Sequence, residues 1–221
     1  LGGIACAGGS ERGASADEQS GPSGDASGPT GSGTIAGTIT FTGTAPANPT
    51  IDMKAEAKCA EKHSGGARDP QYVVSDGKLG NVFVYVKSGL PAGATYRAPA
   101  DTVVVDQDGC LYTPRVVGAM TGQPVEIRNS DPLLHNVKAT PTANRPFNIS
   151  QPTEGMKAVR TFNAAEVMVP LQCNVHSWMN GFVGVSSHPF FAVSGVGGTF
   201  DVRILPAGTY EIEAWHQKRG R

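Results

Sequence analysis

Three side chains that bind soft metal ions lie within seven residues of one another, and this spacing constrains the fold more than any other feature. Cys173, His176 and Met179 follow at intervals of three residues. One loop can present a thiolate, an imidazole and a thioether at this spacing without a regular helix or strand between them. A fourth ligand must then come from another part of the chain, and His135 in the segment 129–137 is the candidate.

This set of four ligands favours copper. A copper site that transfers electrons holds two His and one Cys in a trigonal plane, with a weak Met on the axis. Zinc is the alternative metal, because Cys and His bind it equally readily, but a thioether suits copper better. A binuclear copper centre would need two bridging thiolates, and only Cys173 lies in this loop. A Cys and a Met that merely fill core space are the remaining alternative. We expect one mononuclear copper ion.

The Cys-x2-His-x2-Met spacing and the segments around it resemble the cupredoxins, or blue-copper proteins, and among them most the amicyanin and plastocyanin group. The resemblance covers 101–187 and implies a Greek-key β-sandwich with a mononuclear type 1 copper site. Ser177 stands where amicyanins have Pro after the ligand His, a change that affects the stiffness of the loop but removes no ligand. The matching segments are 102–106, 122–129, 135–137, 168–173 and 182–185.

The resemblance also implies roles for residues around the metal. Asn136 follows the first His and is expected to form a hydrogen bond that pins the segment bearing the Cys, since such bonds orient ligands and tune metals. The ring edge of His176 is expected to face solvent within an apolar patch where redox partners dock. Trp178, with Phe147 or Pro132, would surround it, although for Phe147 we favour ordinary packing.

The segments on either side of 101–187 carry further strand signals. One short helix is predicted at 54–62, and the strands at 198–204 and 209–215 are predicted to form a hairpin. Other strands are predicted at 34–41, 82–87 and 188–193.

These flanking segments resemble the transthyretin-like β-sandwich called the carboxypeptidase regulatory-like domain. We therefore expect a copper domain at 101–187 inserted into a second β-sandwich built from 34–100 and 188–221, since the termini of a domain often lie close together. One enlarged cupredoxin with extra strands at both ends is the alternative. Under either division the predicted fold class is all-β.

The N-terminal segment 1–33 has a different composition. Gly, Ser, Ala, Pro and acidic residues dominate 7–33, which therefore buries too little apolar surface to become ordered and is predicted to be a flexible tether. Small residues before Cys6 resemble the end of a bacterial lipoprotein signal in which Cys6 is lipidated. A plain secretory leader remnant is the alternative. Both alternatives predict an extracytoplasmic protein in the periplasm or at the cell surface, and the first adds a lipid anchor as its contact with the membrane.

An oxidising compartment would let the two remaining cysteines, Cys59 and Cys110, form a disulfide. Other pairings stay open from the sequence alone. A disulfide that used Cys173 would destroy the copper site, so the pairing of Cys59 with Cys110 is the consistent choice.

Composition and motifs argue against several other functions. Charged residues make up 17% of the chain and the net charge is −1, so nothing favours binding to nucleic acid or to an anionic membrane. The chain lacks a Gly-x-Ser-x-Gly elbow, a phosphate-binding loop and a His-Glu-x-x-His motif. A copper oxidase would need additional His clusters, and the chain has only five His. We expect no enzyme.

The leading functional hypothesis is an electron carrier between redox proteins of the cytochrome or dehydrogenase/oxidase type. A copper storage or delivery protein is one alternative, and an interaction module with incidental metal is another. Three His remain outside the predicted site: His63, His188 and His216. We expect His63 on the surface and the other two as surface or capping groups, with a second metal site as the less favoured alternative.

Overall fold

The computed structural model describes residues 19–20 and 28–221, and strands make up most of their regular structure. The first elements are β1 (Gln19–Ser20), β2 (Gly33–Thr38), β3 (Thr50–Ile51), α1 (Ala57–Glu61), β4 (Ala67–Arg68), β5 (Val74–Ser75), β6 (Lys78–Leu79), β7 (Val82–Ser88), β8 (Val103–Asp108) and β9 (Leu111–Thr113). The chain continues with β10 (Val116–Met120), β11 (Val125–Asn129), β12 (His135–Ala139), β13 (Phe147–Gln151), β14 (Lys157–Arg160), β15 (Glu166–Gln172), β16 (Asn180–Ser186), β17 (Phe191–Val193), β18 (Thr199–Leu205) and β19 (Glu211–His216). The predicted all-β class is confirmed.

The predictions for 1–33 concern mainly residues that the structure does not describe. Cys6 and most of the predicted tether lie outside the described residues, so the lipidation site and the tether stay predictions. Within the same segment, β1 pairs antiparallel with β17 through Gln19 with Val193 and Ser20 with Ala192. Among the residues that the structure describes, no helix is long and apolar enough to cross a membrane.

Two sheets built from 103–186 pack against each other around one large core. The first has the strand order β10-β16-β15-β12-β13, and the second has the order β14-β11-β8-β9. Burial alternates along β8 and β11, so that every second side chain points inward. Val105 and Ile127 of the second sheet share one buried cluster with Val137 and Val183 of the first. The sandwich is therefore closed by apolar side chains from both sheets.

Strand pairing explains why the predicted ligands can meet. β12 and β15 are antiparallel neighbours in which Lys138 pairs with Gln172. His135 therefore extends past the last residue of β15, at the end of the sheet where the chain enters the loop 173–179. β16 returns beside β15, with Gln172 paired to Asn180. The loop is thus held at both ends by paired strands and opens beside the start of β12.

The segments that flank this sandwich pair with each other. One sheet has the order β1-β17-β7-β19, and β18 pairs with β2 in another. A second buried cluster joins Val86 and Phe190 to Val202 and Leu205, and therefore links β7 to β18. The division of the chain into an inserted copper domain and a second β-sandwich nevertheless stays a prediction.

The predicted hairpin at 198–215 is wrong. β18 pairs antiparallel with β2, and β19 pairs antiparallel with β7. Each strand thus finds its partner in the N-terminal half of the chain, and the turn at 206–210 carries the chain from one sheet to the other. The alternation of apolar residues predicted both strands, but such a pattern does not identify the partner of a strand.

The segment 50–68 belongs with the core of 103–186 rather than with the flanking sheets. Ile51, Met53, Cys59 and Ala67 are buried in the same cluster as the inward faces of that sandwich. The helix in this segment, α1, is shorter than predicted and has no side-chain hydrogen bond at its N-cap, Glu56.

Close packing between the flanking sheet and the sandwich gives a test of this arrangement. A Cβ atom at Gly184 would lie 2.5 Å from the Phe83 ring. Because overpacking a close-packed core costs about 1–3 kcal/mol, we expect Gly184→Ala to lower the free energy of unfolding by that amount in urea titrations. Gly197→Ala is the matched control, because its Cβ would meet nothing within 4 Å. Equal stability of the two variants would contradict the packing described.

Candidate metal centre

Three of the four predicted ligands converge in the interior. Nδ1 of His135 lies 3.0 Å from Nδ1 of His176, and Sγ of Cys173 lies 3.8 Å from the same His176 nitrogen. One ligand atom from each of the three residues falls within 4.8 Å of the others. All three side chains are buried. One sulfur and two imidazole nitrogens therefore lie close enough together to bind one metal ion.

Met179, the fourth predicted ligand, is fully buried and closes the loop through its backbone. Its N–H donates to the carbonyl of His176 at 2.9 Å, and its carbonyl accepts from the N–H of Cys173 at 3.2 Å. These two bonds fold 173–179 into a compact turn. The thioether side chain belongs to the same core cluster as Cys173.

Asn136 connects the two ligand-bearing segments. Its side-chain carbonyl accepts a hydrogen bond from the backbone N–H of Asn174, and its amide donates to Asn148 on β13. The backbone N–H of His176 in turn donates to Sγ of Cys173 at 3.4 Å. The loop is therefore tied to β12 beside the Cys.

The surroundings of Cys173 favour its thiolate. Burial by itself raises the pKa of a thiol, but hydrogen bonds from His135 and His176 outweigh it and lower the pKa of Cys173 to about 5. A thiolate is the form that binds metals. For His135, burial lowers the pKa, yet hydrogen bonds to Asp131 and Cys173 outweigh it, so that the pKa of His135 is raised.

The donor set fits copper. A thiolate, two imidazole nitrogens and a buried Met supply the soft and borderline ligands that copper sites use, whereas a structural zinc site would use Met poorly. A second group of possible ligands combines Cys110, Asp131 and His135. Cys110 is already bonded in a disulfide and offers no thiolate. In the part of the chain that the structure describes, the metal-binding geometry thus centres on Cys173.

Asp131 is a residue of this site that the sequence analysis missed. Its carboxylate is buried and accepts hydrogen bonds from Nε2 of His135 and from the backbone N–H groups of Gly109 and Cys110. Lys62 lies 2.8 Å away as an ion-pair partner. Burial raises the pKa of the carboxyl, but the bonds from His135 and Lys62 outweigh it and hold the pKa well below its usual range. Its position four residues before a ligand His was the only available signal.

The predicted disulfide between Cys59 and Cys110 is present and lies against the site. Sγ of Cys59 is 4.0 Å from Nε2 of His176, and both cysteines are fully buried. The indole N–H of Trp178 donates to the Cys110 carbonyl at 3.0 Å, while its ring centre lies 5.2 Å from that of His176. The cross-link therefore holds α1 over the outer edge of the imidazole.

The expectation that the ring edge of His176 faces solvent is wrong for this chain. His176 is only 3% exposed. The physical reason is the segment 50–68, which the disulfide fixes across this edge. Pro132 is exposed, and its carbonyl accepts from Nζ of Lys58 at 2.7 Å. Phe147 packs against the core, and Trp178 is half-buried.

The remaining histidines also differ from their predicted surface positions. His188 is buried, with Nε2 2.9 Å from the carbonyl of Val86. His216 is buried against Tyr72, their ring centres 5.5 Å apart, and its Nε2 has no hydrogen-bond partner among the described residues. His63 is half-buried, with Nε2 2.7 Å from the Gly109 carbonyl. Val86 and Tyr96 contact His188, and Tyr72 contacts His216. These partners are distant in the chain, so residue spacing could not indicate the burial.

Comparison with known proteins gives matches only among solved structures. No family model and no curated protein matches the chain. The copper-containing nitrite reductase NirK from Thermus scotoductus SA-01 is similar at 22% identity and a TM-score of 0.37, over 44% of this chain and 25% of that protein. This chain thus matches only about a quarter of the nitrite reductase.

Two smaller proteins are similar over almost their whole length. A purple cupredoxin from Nitrosopumilus maritimus has 20% identity and a TM-score of 0.33, over 38% of this chain and 99% of that one. A Cu(I) form of an amicyanin mutant has 19% identity and a TM-score of 0.35, over 48% of this chain and 99% of that one. The structural neighbours thus include cupredoxins, at low identity and over less than half of this chain.

The disulfide provides a test of how the segment 50–68 is held. Cys59 and Cys110 are 51 residues apart, and removing a cross-link over a loop of this length costs about 2–5 kcal/mol. We expect the double variant Cys59→Ala/Cys110→Ala to lose that much free energy of unfolding in urea titrations. An unchanged midpoint would show that packing alone holds the segment.

His216 provides a test of pH dependence. Burial, followed by the nearby Arg219 and Arg115, lowers the pKa of His216 from 6.5 to about 4. Between these values the unfolded chain binds a proton that the folded chain does not, so stability falls as the pH decreases from 6.5 towards 4. From pH 7.5 to 5 this group should remove about 2 kcal/mol of unfolding free energy. We expect His216→Phe, measured by urea unfolding at both pH values, to lack this part of the loss. A pH dependence identical to that of the wild type would contradict the assignment.

Proposed function

We propose that this protein carries single electrons between redox partners through one mononuclear copper ion. His135, Cys173 and His176 would be the strong ligands of the ion and Met179 a weaker one. The observation that carries the proposal is the convergence of a thiol of lowered pKa and two imidazole nitrogens in a buried pocket. The copper ion would supply the change between two oxidation states.

The residues around the site favour electron transfer because they resist rearrangement. The loop 173–179 continues into paired strands at both ends, and Asn136 ties it to β12. A framework of this kind keeps the same ligands in place in both oxidation states, so little reorganisation accompanies the transfer. The side chains of Cys173 and His176, which are at most 4% exposed, also keep water away from the metal.

The partners would be redox proteins of the cytochrome or dehydrogenase/oxidase type. Since the edge of His176 is covered, we propose that they dock on the exposed apolar side chains beside the ligands. Leu134 and Val175 are 41% and 48% exposed, and each directly precedes one ligand His. Exposed apolar side chains of this kind suit brief redox encounters. We further propose an extracytoplasmic location, with Cys6 as the site of a lipid anchor.

A copper storage or delivery protein would release its metal to a partner, and this needs ligands that an acceptor can reach. The two imidazoles and the thiol are buried here, so the carrier is the better-supported function. We assign no catalytic residue, because the proposed role is electron transfer without conversion of a substrate.

The first test is the visible spectrum of the protein with one equivalent of Cu(II). We expect an intense charge-transfer band from the thiolate to copper, which a mild reductant bleaches and which Cys173→Ser abolishes. His63→Gln is the matched control, because His63 is half-buried near the disulfide but outside the proposed ligand set. That variant should keep the band. A colourless protein that retains zinc, or colour that survives Cys173→Ser, would overturn the proposal.

A further inference from the structure

We propose that Asp131 is a positioning residue for the copper site, fixing the ring of His135 and opposing reduction of the metal through its buried negative charge. This inference rests on the proposed function. It adds a role for a carboxylate that binds no metal itself and acts through the imidazole.

Asp131 sets the orientation of the His135 ring. Nε2 of His135 lies 2.8 Å from Oδ2 of Asp131, and Nδ1 lies 3.0 Å from Nδ1 of His176. An ionised carboxylate only accepts hydrogen bonds, so Nε2 must carry the hydrogen. Nδ1 is then the nitrogen available to a metal. A carboxylate bonded to the far nitrogen of a metal-binding His is a common means of fixing its orientation.

Asp131 is itself held in place by several contacts. Oδ1 accepts from the backbone N–H of Gly109 at 2.9 Å and faces Nζ of Lys62 at 2.8 Å. Oδ2 accepts from the backbone N–H of Cys110 at 2.8 Å in addition to His135. Each oxygen thus has two donors, and the carboxylate plane cannot turn without breaking several bonds. Through its hydrogen bond to this carboxylate, the His135 ring is held in a fixed orientation as well.

The negative charge of Asp131 has an electrostatic effect on the metal site. Asp131 is fully buried, and interactions between charges are stronger in the interior than in water. A negative charge beside a ligand stabilises the more positive oxidation state of the metal. Lys62 offsets part of this charge, but its side chain is 38% exposed and it also pairs with the exposed Asp108. The structure therefore assigns opposite electrostatic effects to Asp131 and Lys62.

The test compares Asp131→Asn with Asp108→Asn, since both remove a carboxylate partner of Lys62 but only the first touches His135. We expect Asp131→Asn to weaken copper binding about 10–100-fold and to make the reduction potential more positive. In the metal-free protein, NMR should show faster exchange of the His135 Nε2 hydrogen with water. Asp108→Asn should leave the affinity and the exchange unchanged and move the potential little.

Lys62→Met provides a second variant that keeps the carboxylate in place. Removing the positive charge should move the reduction potential in the negative direction, opposite to Asp131→Asn. General loosening of the site would not produce shifts of opposite sign. If Asp131→Asn does not fold, a shift of the Lys62→Met potential in the positive direction overturns the electrostatic part of the proposal.

The outcomes separate this inference from the proposed function. A wild-type protein without a thiolate-to-copper band would end the electron-carrier proposal, while the exchange of the His135 hydrogen would still decide the positioning role of Asp131. A wild type with the band, together with an Asp131→Asn variant that matches Asp108→Asn in affinity, potential and exchange, would overturn the inference. Lys62→Met and Asp131→Asn shifting the potential in the same direction would overturn its electrostatic part.

Discussion

The candidate metal centre depends on the antiparallel pairing of β15 with β12 and β16. This pairing brings His135, the first residue of β12, beside the loop that joins β15 to β16. His135 extends beyond the end of β15, where the loop 173–179 begins. Backbone hydrogen bonds between strands are cooperative and rigid, whereas a free loop would have to order itself around a metal at a cost in conformational entropy. Most of the ordering of the site is thus a consequence of folding the sheet.

A buried site that contains charged groups is stable only when each group has partners. The thiol of Cys173 receives hydrogen bonds from imidazole and backbone groups, and the carboxylate of Asp131 receives them from a His, two backbone N–H groups and a Lys. The partners of Asp131 are Lys62, which directly follows α1, the segment around Cys110, and His135 of β12. The same contacts that satisfy buried charges therefore join distant parts of the chain.

Sequence patterns predicted the local features of this protein better than its long-range contacts. The ligands at 173–179 required a further His, for which His135 was the candidate. Apolar alternation predicted β2, β18 and β19, whereas β8, β11, β12, β15 and β16 were expected from the resemblance to cupredoxins. The pairing of β18 and β19 was predicted incorrectly because alternation does not encode partners. The burial of His176 depends on the helix α1, which lies more than a hundred residues away in the chain. Asp131 lacked a motif, since its role arises from three segments that meet only in the folded state.

The imidazole of His176 lies close to both the free thiol and the disulfide of this site. Sγ of Cys173 lies near Nδ1 of this ring, and Sγ of Cys59 lies near Nε2. The ring thus stands between a free thiol that favours the thiolate and a disulfide. A thiolate exchanges with a disulfide only by direct attack on one of its sulfur atoms. Direct attack of the Cys173 thiolate on Cys59 would therefore require the ring of His176 to move.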